Sequence, residues 1–600
     1  MRQRKSWYRV GAALAASVWL GACENPLERA STEELRASII DSARRELAEA
    51  KGAPEQRALR QTAEPLDLSP ERRRELDAMA GASSYEDTVI PQLPDLLGRA
   101  GAASPSFRIS LEQAVGSAVE HNLALQAARV QPAIAQSNVV AAQAVFDWVF
   151  FADFLWQVTD EPSVTVIPGQ PAVRNAQDVS YTTGLRKPLT SGGEFSISQG
   201  QSYTDDNSPG VNVFPNPANA PFLSLRLDQP LLRGFGSDVA LAEIRLAQNF
   251  ERDAIEALRG QLIDSIVETE SAYWRLYEAQ RSLQIQRRLL ERGIETRDVL
   301  ESRLGVDARP AEYSDAVARV ESRRSNVIRA EDELRRASDN LKRFVNDPEL
   351  TVGDETLLVA IDAPIEDAVG YSLVDSFATA LRKRPEIQRS ILSIDDASIR
   401  QTVARNARLP RLDLTAEARL LGLDSDLGDA YQQVGDSRFA NWLLGLAFEQ
   451  PIGNRAAEAQ YRSSQLQRLL SVVRYRDVVQ TVVFDVKNAI RAIDTSYRLI
   501  AQSRIAREAA AENLRTLLVL EETIASLNPE FLDLKFRRQD ALAVSELEEL
   551  SSLIIYNVAL AELSRATGTA IERNGIRFVV PDADELDAAW ASRGASDPGP

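Results

Sequence analysis

The sequence holds one cysteine, one histidine and two methionines in 600 residues. A structural zinc cluster needs several Cys or His ligands, and a His-based catalytic triad needs a placed imidazole. With so few of these residues neither is expected, and two methionines, one of them the initiator, do not line a thioether copper path. No Gly-rich phosphate-cradling loop followed by Lys-Ser/Thr occurs either. No cofactor, no metal and no catalytic set are therefore expected, and the chain reads as something other than an enzyme. His121 reads as a polar residue on a helix. Positive charge is also short, 69 Lys and Arg against 87 Asp and Glu for a net −18, which removes nucleic acid as a partner because such proteins carry basic patches. Beyond residue 22 no uninterrupted apolar run approaches the ~20 residues of a spanning helix. If this chain crosses a membrane, it does so as strands.

What the first residues do contain is an export signal. Arg2, Arg4, Lys5 and Arg9 precede an apolar run from Val10 to Leu20 and a small-residue end, the layout of a secretory leader. Leu20-Gly21-Ala22-Cys23 looks like a bacterial lipobox, cut before the cysteine that then carries the acyl chains. A lone thiol in an exported protein is otherwise an odd leftover. Glu24 after it is similar to the outer-membrane sorting pattern of lipoproteins.

The remainder repeats itself. Ser110-Leu111-Glu112-Gln113-Ala114 aligns without gaps on Ser372-Leu373-Val374-Asp375-Ser376, and the register persists to Gln126 opposite Gln388. Leu227-Asp228-Gln229-Pro230-Leu231 is echoed by Phe448-Glu449-Gln450-Pro451-Ile452, and Pro310 to Asp315 by Pro529 to Asp533. Between these landmarks lie two long proline-free stretches, 238–304 and 456–527. In the first, Ile255, Leu258, Leu262, Ile266, Tyr273 and Leu276 fall on one helix face; in the second, Val479, Val482, Val486, Ala489, Ile493, Tyr497 and Ile500 do so. At 1.5 Å per residue each helix is on the order of 100 Å long, which implies a coiled coil or helical tube. Shorter return helices are expected over about 312–344, 386–407, 530–567 and 124–145. Segments near 105–122, 348–384 and 568–590 remain for a belt at mid-height.

The other stretches alternate with period two. Trp148, Phe150, Ala152, Phe154, Trp156 and Val158 share one face, opposite Asp153 and Gln157. Leu412, Leu414, Ala416, Ala418 and Leu420 oppose Arg411, Asp413, Thr415, Glu417 and Arg419, while Trp442, Leu444, Leu446 and Phe448 form the apolar face of a partner strand. Leu223, Leu225 and Leu227 alternate with Ser224, Arg226 and Asp228 in the same way. Such strands with aromatic ends fit a transmembrane barrel, although a soluble sandwich with one buried face shares the pattern. The lipobox favours the barrel. Four strands cannot close one alone, since the smallest single-chain barrels use about eight, so an oligomer is expected.

Taken together, the Ser-Leu openings at Ser110 and Ser372, the corner Asp228-Gln229-Pro230-Leu231-Leu232-Arg233-Gly234-Phe235-Gly236, its echo Glu449-Gln450-Pro451-Ile452-Gly453-Asn454-Arg455, Ala272-Tyr273-Trp274 and Ala566-Thr567-Gly568 resemble the TolC family of outer-membrane efflux proteins, especially its acylated members. The resemblance covers about 105–575. It implies a mainly α fold with a membrane β-barrel, a homotrimer in which each protomer gives about four strands to the wall and long helical hairpins to a periplasmic tunnel. It further implies a periplasmic adaptor and an inner-membrane pump or secretion transporter as partners, with outer-membrane lipid around the strands. Expected segments are a signal peptide 1–22, a lipid-anchored linker with short helices 23–104, a first repeat 105–347, a connecting segment 348–371, a second repeat 372–575 and a tail 576–600. Within the linker, Ser31-Thr32-Glu33-Glu34-Leu35 is expected to cap a helix to about Ala50.

One departure is an added hairpin near 178–205, turning at Ser191-Gly192-Gly193. It either joins the wall or stands outside it, and the surface loop is the preferred reading. The helix-to-helix turns carry Asp307, Arg309, Glu312 and Asp315 on one side and Asn528, Glu530 and Asp533 on the other, a candidate charged gate at one end of the tube or else ordinary solvated turn residues. The expected role is a passive exit duct. A periplasmic coiled-coil lipoprotein without a pore is the alternative, and the amphipathic strands speak against it.

Overall fold

The computed structural model describes residues 66–80, 93–94, 104–162, 173–208, 213–305, 308–523 and 529–581, with Ala48. Two compact units emerge, one built from 1–129, 256–388 and 472–579, the other from 130–255, 389–471 and 580–600. Each draws on both sequence repeats.

In the first unit, helix α1 (Pro70–Ala80) precedes strand β1 (Ser106–Ile109), helix α2 (Leu111–His121) and the start of α3 (Leu123–Gln143). The Ser110 landmark proves to be a helix cap. Its hydroxyl accepts from the N–H of Gln113 at 3.2 Å, and the Gln113 side chain accepts from the N–H of Ser110 at 3.1 Å, satisfying donors that a helix start leaves open. Ser372 repeats the first of these two bonds, accepting from the N–H of Asp375 at 3.3 Å. His121 lies in the last turn of α2.

The second unit carries β2 (Val149–Pro162), β3 (Val173–Pro188), β4 (Glu194–Asp206) and β5 (Ala218–Pro230). A short turn, α4 (Ser237–Ala240), leads into α5 (Ala242–Ser302), a helix of 61 residues that enters the first unit. The long proline-free stretch is thus one helix, about 90 Å at 1.5 Å per residue. Its expected stripe is the core: Leu258, Leu262 and Ile266 pack with Val115, Leu125 and Ala561, and Tyr273 and Leu276 with Leu334, Leu341 and Leu358. Helix α6 (Pro310–Val345) returns and ends on Asn346 in the left-handed region, φ 46°, just before Asp347-Pro348.

A short strand β6 (Leu357–Ala360), fully buried, pairs in parallel with β1. Helix α5 pins it through Tyr273, whose hydroxyl accepts from the N–H groups of Ile361 (3.1 Å) and Asp362 (2.9 Å) and donates to the Asp362 carboxylate at 2.9 Å. Burial pushes this phenol above its usual range, so it stays a donor. Helices α7 (Leu373–Lys383) and α8 (Pro385–Asn406) follow, then β7 (Arg411–Leu421), α9 (Leu427–Gly435) and β8 (Phe439–Glu449). The second long helix is α10 (Arg455–Thr523), 69 residues. It is succeeded by α11 (Pro529–Thr567), which Gly568 closes at φ +69°, and by α12 (Ala570–Arg573). Val479, Val482, Val486, Ile493 and Ile500 of α10 are all buried. Among the described residues no helix is long and apolar enough to cross a membrane.

The N-terminal stretch also contributes to the first unit. Ser69 accepts from the N–H of Arg72 at 3.2 Å and Pro70 opens α1, the preferred residue for a first turn. Leu76 and Ala80 bury themselves against Ala511, Leu514 and Leu542, and Arg507 grips Asp77 at 2.8 Å. The helix expected over 31–50 and Cys23 lie outside the described residues, apart from Ala48, which is helical.

Candidate functional site

The second unit's strands form one antiparallel sheet of six, in the order β2-β3-β4-β5-β7-β8. Directly opposed residues share a face, so the pairing registers show which side chains stand together. Phe150 pairs with Leu185, Leu185 with Ile197, Ile197 with Leu225, Leu225 with Ala418 and Ala418 with Trp442. Leu412 opposes Phe448 and Leu414 opposes Leu446 on the same side. The alternation read from sequence therefore places Trp148, Phe150, Phe154, Trp156, Leu412, Leu414, Trp442, Leu444 and Leu446 on one face, apolar over β2, β7 and β8. That face is open: Phe154 is 73% exposed, Trp442 82% and Leu444 78%. At its helix-side end, Trp148 meets Phe195 edge to face, and Lys187 sits over the Trp148 ring at 5.3 Å.

The opposite face is polar and internally bonded. Arg226 makes two hydrogen bonds to Asp228, at 2.7 and 3.1 Å, and Asp228 also accepts from Thr415 at 2.7 Å. Ser224 donates to Glu417 at 2.8 Å, Arg411 to Asp413 at 2.5 Å, and Arg419 lies 4.0 Å over the Phe222 ring. Both charge signs are present along this face, and Arg226 with Asp228 and Arg411 with Asp413 are paired on it.

The structure corrects one expectation. The segment near 178–205 is not a loop standing apart from four strands: β3 and β4 are hydrogen-bonded along their lengths between β2 and β5. Gly192, at φ +89°, supplies the turn, where a Cβ would lie 2.1 Å from the Gly234 carbonyl oxygen. Thr183, Gln199 and Gln201 make the otherwise apolar face polar on these two strands. Helix α9 accounts for part of it, because Tyr431 meets the Tyr181 hydroxyl at 2.5 Å and accepts from Gln199 at 2.7 Å. Gln201 is satisfied within the sheet, donating to the Asn219 side chain at 3.0 Å.

The second candidate lies at the helix turns of the first unit. Glu312 is engaged as a cap, accepting from the N–H of Arg309 at 3.0 Å. Asp315 of α6 and Asp533 of α11 converge on one guanidinium, Arg319, at 2.9 and 2.8 Å, and the Asp315 hydrogen bond raises the pKa of Arg319. Glu530 opens α11 in its first turn. Asp307 and Asn528 lie outside the described residues. One turn deeper, Arg323 is nearly buried, which lowers its pKa; it donates to Asp540 (2.7 Å), Gln539 (2.9 Å) and the Leu289 carbonyl (3.0 Å). Phe536 lies under both Arg319 and Arg323 at 5.2 Å. Sequence reading missed Arg319 and Arg323, since nothing in their spacing distinguishes them from other arginines of α6.

Among the described residues no group of His, Cys, Asp and Glu could hold a metal ion. The family described as "Outer membrane efflux protein" matches by its sequence model over residues 377–518. A search of curated proteins finds no match. Among solved structures, a membrane protein from Pseudomonas aeruginosa is similar at 18% identity and TM-score 0.56, covering 76% of this chain and 93% of its own. The Campylobacter jejuni CmeC outer membrane channel is similar at 14% identity and TM-score 0.56, covering 80% and 88%, and CusC at 16% and 0.56, covering 80% and 96%. With a matching family model over part of the second repeat and a fold similar to these channels across most of its length, the chain's resemblance to the TolC family of outer-membrane efflux proteins holds.

Proposed function

We propose that this chain is one protomer of a homotrimeric duct through the outer membrane, a passive conduit serving a tripartite efflux or type I secretion system. The observation that carries the reading is the two-faced sheet. An apolar face with Trp442 and Leu444 mostly exposed is costly in water and suits lipid, while its reverse, with Arg226, Asp228 and Glu417 bonded to neighbours, suits an aqueous bore. Long helices α5 and α10 suit the periplasmic part of such a duct, where an adaptor and an inner-membrane pump or secretion transporter would engage it. Cys23, acylated, would anchor the chain in the outer membrane.

Reconstitution into planar bilayers tests this. Purified full-length protein should open water-filled channels and sediment with outer membranes on a density gradient. Recovery in the soluble periplasmic fraction, with no conductance after reconstitution, would overturn it in favour of a coiled-coil lipoprotein without a pore.

A further inference from the structure

The resemblance implies four wall strands per protomer, yet six are hydrogen-bonded in one sheet. The position of the apolar belt on those strands bears on whether all six belong to a membrane wall. On β2 the belt runs from Trp148 to Val158 and centres on Asp153; on β8 it runs from Trp442 to Phe448 and centres on Gly445. Following paired residues across the sheet from Asp153 leads through Thr182, Gly200, Phe222 and Leu421 to Phe439. Gly445 lies six residues farther along β8 toward the helices. The drift is gradual, with the belt centre on β5, Leu225, three residues past Phe222 and that on β7, Ala416, five past Leu421 in the same direction.

Six residues at about 3.3 Å make about 20 Å of drift over five strand spacings of about 4.8 Å, or about 24 Å. A level band crossing the sheet at that slope means strands inclined by about 40°, within the 35–45° of membrane barrels. A sheet with two strands detached as a loop has no reason to keep one slope through them.

The edges agree with closure. Both faces of β8 and nearly all of β2 are open, with Leu443 and Leu155 exposed on the polar side as well. An open apolar edge is a pairing site. Because the strand number is even and every neighbour is antiparallel, β8 of one copy can join β2 of the next without a parallel pair.

We propose that β2 and β8 are the edges by which copies of this chain pair, and that three copies close an eighteen-stranded wall, not a twelve-stranded one. The inference rests on the trimeric duct reading and adds the number of strands. Since barrel diameter grows with strand number, the backbone bore is roughly 35 Å across against roughly 24 Å for twelve strands at the same tilt. The wall segment is then a wide vestibule, and the size limit on cargo lies elsewhere along the path.

Cryo-EM of the full-length protein in detergent, with native mass spectrometry of the same sample, decides it. The expected result is three copies with eighteen strands in the wall. Three copies around a twelve-stranded wall, with residues 173–206 outside it, would overturn the inference and leave the duct reading standing. A copy number other than three would overturn the trimer on which both rest.

Discussion

Gly293 sits inside α5, nine residues from its end, where glycine costs about 1 kcal/mol relative to alanine. Its reason lies on another helix: a Cβ there would come within 2.8 Å of an Arg323 terminal nitrogen, and that guanidinium is held by Leu289, Gln539 and Asp540. Gly293→Ala should therefore fail to stabilise the wild-type protein, yet stabilise an Arg323→Met background by about 0.5–1 kcal/mol, read from chemical denaturation of the four variants in the cycle. A second residue carries a pH signature. Burial raises the Asp396 pKa above its ordinary value, against a hydrogen bond from Asn249 at 2.9 Å that lowers it. A carboxyl whose folded pKa is raised favours folding below its unfolded pKa and loses that contribution as pH rises through the folded one. At neutral pH the ionised group is a burden, so Asp396→Asn should raise the melting temperature at pH 7, with the gain shrinking toward pH 4. Scanning fluorimetry at the two pH values checks it, and an equal shift at both would assign the effect to packing.

Elements were legible where one physical rule dominated. Missing proline gave α5 and α10 nearly to their ends, and Ser110 and Ser372, legible as landmarks of the repeat, owe that repetition to the helix caps their hydroxyls make. The faces of β7 and β8 followed from alternation, which a single-residue slip would invert. Two things were hidden because they depend on partners distant in sequence. The polar residues on the apolar face of β3 and β4 made sense only once α9 was seen to reach Tyr181 and Gln199, and the docking of α1 rests on Ala511, Leu514 and Leu542, more than 400 residues away. At this scale the sheet register makes a sharp prediction. Leu414 opposes Leu446 on the apolar face, whereas Asp413 lies on the polar face opposite Ala447. In a reconstituted channel a membrane-impermeant thiol reagent should label Asp413→Cys and spare Leu414→Cys. The reverse labelling would show that the polar face, not the apolar one, meets lipid.

At the scale of the whole molecule, one guanidinium helps hold the helix turns together. Arg319 ties the two return helices, α6 and α11, by contacting Asp315 on its own helix and Asp533 on the other. All three side chains are partly exposed, so one such tie is worth under about 1 kcal/mol once water and salt screen it. Three protomers would bring three ties to the same end of a tube, and their sum approaches the few kcal/mol that separate two populated conformations. Arg319→Glu removes each tie and sets a third carboxylate beside Asp315 and Asp533, so repulsion replaces attraction. Arg323 beneath it keeps its own partners and its place against Phe536, which leaves the core of the turn in place. The variant should therefore still assemble but conduct more than wild type in planar bilayers, and wild-type conductance should itself rise more steeply with salt than bulk conductivity does. Unchanged single-channel conductance in a variant shown to be trimeric would leave Arg319 as an ordinary surface pair and move the constriction elsewhere along the duct.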